Sequence, residues 1–225
     1  MRLKTILRIS CLLLLVATLG GLSGCGSEHS NNIELLNVSY DPTRELWREL
    51  NDKNGLVETL LYLGYALKRL GNGTGAYAHF EEALAIVREE NWSHFYVAGC
   101  LGLLGNTAGD LGRWEEAAAR CAEGLRLTRC GANAQDRLNI AWTLTGLARV
   151  ALARGRPARA AHMLAPTAAL WDSVIRLSRP PDFEQAVAAA RAQMDLIEFE
   201  AAWAEGRAKP LQAVVAAALG EASAG

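Results

Sequence analysis

The chain has 225 residues, 51% of them hydrophobic and 21% charged, with a formal charge of −1. That balance excludes a disordered polyelectrolyte, and it excludes a nucleic-acid binder held by phosphate neutralisation. An abundance of Ala, few Pro and 7% aromatic residues favour an all-helical chain.

Residues 1–24 read as an export signal. Arg2, Lys4 and Arg8 precede an apolar run from Ile9 to Leu22 that is too short for an ordinary membrane-spanning helix. Leu22-Ser23-Gly24-Cys25 then resembles the lipobox of bacterial lipoproteins. That resemblance implies cleavage before Cys25, a diacylglycerol group on its thiol, and a place in the bacterial cell envelope, lipid-anchored on the extracytoplasmic side of a membrane. An uncleaved anchor is the alternative. Loss of the three signal cations leaves acids in excess by about four, so the lipid and not surface charge would hold the membrane.

Residues 25–54 form a tether and a short fragment. Cys25 to Asn32 is polar, Ile33 to Tyr40 has a strand's composition, and Asp41-Pro42 suits a helix start with Asp41 as N-cap. The string Leu35-Leu36-Asn37-Val38-Ser39-Tyr40-Asp41-Pro42-Thr43-Arg44-Glu45-Leu46 resembles the mature N-terminus of periplasmic sulfate-binding proteins, over residues 33–52. It implies an anion-binding lobe to which Ser39, Asp41 and Arg44 would contribute. The other reading of those three residues is a capped helix.

Residues 55–178 carry a repeat. Leu63-Gly64, Leu104-Gly105 and Leu147-Ala148 are each followed by a turn glycine, at Gly71, Gly112 and Gly155. The turn glycines stand 41 and 43 residues apart. Ala76, Ala117 and Ala160 come five residues after the turn, and Phe80, Cys121 and Leu164 nine after it. Two antiparallel helices joined by a tight turn require this spacing: a small residue where the backbones approach, a positive φ at the turn, and a larger residue to fill the gap. The pattern resembles a long form of the tetratricopeptide repeat, which implies stacked helical hairpins and a protein-binding role. Residues 133–222, through Ala141 to Ala148, Arg156 to Ala161 and Phe199 to Arg207, resemble the C-terminal repeat region of large bacterial ATPase regulators of the LuxR type. Only the repeat platform is implied, because no P-loop is present.

Residues 179–225 suit capping helices. Asp182 is placed to cap a helix from Phe183 to about Met194; a second helix ends at Gly206, and Pro210 opens a third through Leu219. The expected fold is therefore an all-α, tetratricopeptide-like helical-hairpin solenoid with C-terminal capping helices, preceded by a cleavable signal and a short tether.

Catalytic signals are weak. Gly71-Asn72-Gly73-Thr74-Gly75 follows a helix and lacks a phosphate-binding Lys, so a turn is expected there. His29, His79, His94 and His162 share no metal-ligand spacing, and no nucleophile motif stands out. No enzyme activity, metal or cofactor is expected. Cys100, Cys121 and Cys130 remain after Cys11 leaves and Cys25 is lipidated; Cys121 reads as a buried thiol, with a Cys100–Cys121 bridge as the other option.

The expected partner is a protein or peptide, bound on the concave face made by the first helix of each repeat. Tyr62, Tyr65, Lys68 and Arg69 come from the first repeat, Asn106 from the second, and Trp142 and Arg149 from the third. Aromatics beside cations suit an extended or acidic peptide. A solvated helix face is the other reading of the same residues.

Overall fold

The computed structural model describes residues 42–128, 133–174 and 179–222, and these residues contain helices and turns but no strand. The signal, the tether, the expected strand at 33–40, Asp41 and Cys130 lie outside them. In chain order the helices are α1 (Pro42–Glu49), α2 (Lys53–Arg69), α3 (Gly73–Glu89), α4 (His94–Asp110), α5 (Trp114–Arg126), α6 (Ala134–Ala153), α7 (Pro157–Val174), α8 (Pro181–Ala192), α9 (Leu196–Ala208) and α10 (Leu211–Ala222). No helix among the described residues is long and apolar enough to cross a membrane.

The repeats are the hairpins α2–α3, α4–α5 and α6–α7, each packed on the next. Gly71, Gly112 and Gly155 hold φ values of +81°, +72° and +68° at the three turns, the left-handed conformation their spacing predicts. The junctions between hairpins use a different residue. Asn51 (φ 49°) ends α1 and Asn91 (φ 51°) ends α3, since Asn tolerates this region better than other side-chain-bearing residues. Asp52, Asn72 and Asn133 then cap α2, α3 and α6, their side-chain oxygens accepting from the backbone N–H groups of Gly55, Gly75 and Asp136.

Inside the first hairpin Phe80 is fully buried against Gly64. A Cβ on Gly64 would stand 2.5 Å from the Phe80 ring, so the small residue and the large one are two halves of one fit. Cys121 fills the matching space over Gly105 in the second hairpin, and it also lies against Gly146 of α6. Leu164, at the matching position of the third hairpin, is also fully buried. Buried Thr107, Thr143, Thr145 and Thr167 bond the carbonyl four residues back, so helix interiors made of small residues still satisfy every hydroxyl.

Helix α1 packs on α2 at the start of the solenoid, with Trp47 buried above Gly55. Arg44 and Arg48 both pair with Glu82 of α3. Arg44 thus serves the repeat, and Asn51 joins α1 to α2 as Asn91 joins α3 to α4.

The C-terminal helices depart from expectation in three ways. Pro180, not Asp182, stands at the N-cap of α8, which starts at Pro181. Asp182 lies in the first turn, buried, and pairs with Lys68. Gly206 does not end its helix, because α9 runs on to Ala208. Gly206 is a contact glycine, whose Cβ would stand 2.5 Å from the His162 carbonyl oxygen of α7. Finally, α8 packs on α6 and α7 and α9 on α7, but α10 turns back to cover α5 and α7 instead of the end of the last repeat.

Candidate functional site

The first helices of the three hairpins bring most of the expected groove residues together. Tyr65 of α2 meets Trp142 of α6 edge-on, with ring centroids 6.2 Å apart, and Trp142 meets the fully buried Trp171 of α7 at 4.9 Å. This aromatic line passes over α4, where Gly102 lets the Trp142 side chain lie close; a Cβ there would be 3.0 Å from the Trp142 Cβ.

Two of the three cations of the group, Lys68 and Arg149, are engaged within the chain. Lys68 pairs with Asp110 of α4, and its Nζ is 3.2 Å from an Asp182 oxygen of α8. Arg149 donates from Nη1 to the Asn106 carbonyl at 2.9 Å and from Nη2 to Asp110 at 2.5 Å. Asp110 therefore receives a cation from the repeat before it and another from the repeat after it.

Asn106 is fully buried and turns its side chain inward, donating to the Gly102 and Trp142 carbonyls at 2.9 Å each. It ties α4 to α6 and does not line an open face. Tyr62 is 57% exposed, and Arg69 is exposed at the end of α2. Beside them a cleft of about 520 Å³ opens between the ends of α2 and α4 and the start of α8, walled by Tyr65, Lys68, Arg69, Asp110 and Asp182.

Asp110 did not stand out in the sequence and Asp182 did so only as a helix cap, yet a signal for Asp110 was there. Lys68 and Asp110 are 42 residues apart, close to one repeat period. Offsets close to one period recur elsewhere: Arg120 to Glu81, Tyr77 to Glu116 and Arg154 to Glu115 are each separated by 39 residues. Polar and oppositely charged residues about one period apart face each other across neighbouring hairpins. At Tyr77, burial and hydrogen bonds donated to Glu116 and Glu81 push the phenol well above its ordinary range.

Cys100 and Cys121 are free, buried thiols, so the bridge is not formed. Burial pushes both up to about 12, which leaves them protonated and poorly nucleophilic at neutral pH. Among the described residues no group of three or more His, Cys, Asp or Glu side chains could hold a metal ion.

The tetratricopeptide-repeat family model matches residues 56–91, which is α2, the Gly71 turn and α3. No curated protein and no solved structure matches the chain. The match and the stacked hairpins together support a tetratricopeptide-repeat protein, and repeats of this kind support a protein-interaction scaffold. The all-helical repeat fold is typically non-enzymatic.

Proposed function

We propose that the chain is a protein-interaction scaffold held by a lipid on Cys25 at the extracytoplasmic side of a bacterial membrane. The observation that carries the scaffold reading is the repeat match on α2–α3, the hairpin that presents Tyr62 and Arg69 to solvent beside the 520 Å³ cleft. The partner is a protein or peptide with an acidic or aromatic segment, for which Arg69 offers a guanidinium fork and Tyr62 an apolar ring with a polar tip. The lipid reading rests on the order of basic segment, apolar run and Leu22-Ser23-Gly24-Cys25.

Two measurements test this. Tyr62→Ala with Arg69→Ala is expected to weaken capture of the partner at least tenfold while leaving the helical circular dichroism and Tm unchanged, since neither residue holds a repeat contact described above. Equal capture by the double variant would remove α2 from the interface. Separately, Cys25→Ser is expected to leave the signal uncleaved or to release the protein from the membrane fraction, because only the thiol accepts the lipid. A variant that fractionates and migrates as the parent does would end the lipoprotein reading.

A further inference from the structure

Because α10 turns back, the outer side of α9 is left uncovered. Helix α9 lies on α7 and touches α8. Its buried residues, Phe199, Ala202 and Gly206, fall on one side. Ile197, Ala201, Ala204 and Ala208 fall on the opposite side, and all four are exposed. Ile197 is 82% exposed and Leu196 beside it 70%, more than any other large apolar side chain among the described residues. The end of a solenoid needs a polar outer face to stay soluble alone, and the line of α9 that faces away from the stack has no polar side chain.

The steps along that line, from 197 to 201, 204 and 208, are those of a coiled-coil seam. One flank of the seam carries Glu200 and Arg207, both exposed. Neither has a hydrogen-bond or ion-pair partner among the described residues. The other flank carries Glu198 and Glu205, and Glu205 is engaged by His162 and Lys209.

This charge pattern selects the occupant. An antiparallel copy of α9, related by a two-fold axis, sets Ile197 over Ala208 of the other helix and Ala201 over its Ala204. Glu200 then meets Arg207 of the second copy, and Arg207 meets the second copy's Glu200, so the flank closes with two ion pairs. A parallel copy would set Glu200 against Glu205 of the other chain, two like charges. Head-to-tail stacking fits no better, because α1 at the other end exposes Arg48 and Glu49 and offers the seam a charged face. A face that is its own complement closes as a dimer and does not propagate.

We propose that the chain forms an isologous dimer through the outer face of α9, antiparallel, with Ile197 against Ala208 and Glu200 against Arg207 of the second copy. This is independent of partner docking at α2. With 13 residues, about 20 Å, α9 offers a small interface, so the dimer is a weak and exchanging one.

Sedimentation equilibrium of the full chain, in a density-matched non-ionic detergent with micelles in excess, reads the association. A monomer–dimer equilibrium in the micromolar to millimolar range is expected. Ile197→Glu is expected to weaken it at least tenfold. Glu200→Arg and Arg207→Glu, each alone, turn both ion pairs into like-charge pairs and are expected to weaken it about tenfold. Mixed in equal amounts, these two single variants are expected to associate with each other as tightly as the parent does with itself, because each supplies the charge the other lacks. The three residues are exposed, so the helical circular dichroism and Tm are expected to stay those of the parent. A chain that stays monomeric throughout, whether or not Ile197 binds phosphatidylcholine vesicles, would overturn the proposal. So would a dimer indifferent to Ile197→Glu, assemblies that keep growing with concentration, or charge variants that do not pair when mixed. If Ile197→Glu does not fold, the charge variants and their mixture decide the matter.

Discussion

Phe80→Ala is expected to destabilise the protein by about 3–5 kcal/mol, read as a fall in the urea midpoint with an unchanged slope. The ring is fully buried and faces Gly64, which has no side chain with which to refill the space. Relaxation would require α2 and α3 to approach further, and their backbones are already as close as the glycine permits. Gly64→Ala tests the same fit from the other side, because its methyl would meet the ring. Once Phe80 is Leu, that methyl has room, so the two changes together should cost less than the sum of the separate ones. A loss below about 1 kcal/mol for Phe80→Ala would mean that the hairpin is not built on this pair.

Asp110→Ala is the second change with a large expected effect, about 2–3 kcal/mol. Removing one partner of a well-buried ion pair costs about 3–5 kcal/mol, and partial exposure of Asp110 lowers that figure. Lys68 has a side chain only 6% exposed, and Arg149 is also largely covered, so both would lose a counter-charge without regaining full hydration. Asp182 remains to Lys68, and the Asn106 carbonyl remains to Arg149. Asp110→Asn keeps the shape and loses the charge, so it isolates the electrostatic part. Chemical denaturation gives the magnitude. Hydrogen exchange should show α4 and α6 loosened at their C-terminal ends; a variant as stable as the parent would make Asp110 a solvated residue.

The repeat was legible because its causes are local. A positive φ calls for glycine at 71, 112 and 155, and a 16-residue offset pairs Gly64 with Phe80 and Gly105 with Cys121. The Asn turns at 51 and 91 carry the same information in a weaker form, since Asn is common outside the left-handed region. As a result α1 read as part of a different segment, although Trp47 and Gly55 join it to the repeats. The residues expected to line a groove lie on the first helices of the hairpins, but the partners of Lys68, Asn106 and Arg149 belong to other elements. Whether Lys68 faces water or Asp182 depends on how far successive hairpins rotate, and no single hairpin encodes that rotation. The direction of α10 was illegible for another reason. Its Ala-rich sequence offers small side chains all round, which fit many neighbours equally well, and only the packed structure chooses α5 and α7.

The return of α10 to α5 bears on how the protein comes apart. A solenoid whose units touch only their neighbours can fray from either end, one hairpin at a time. Here the last helix rests on the second hairpin, and Asp182 of α8 reaches Lys68 of the first. These contacts join parts of the chain far apart in sequence, so their closure entropy is recovered only after the intervening hairpins have assembled. Losing a terminal helix therefore exposes surface in the middle of the array as well as at its end. Melting should be a single all-or-none event, and folding should be slower than for an open array of the same three hairpins.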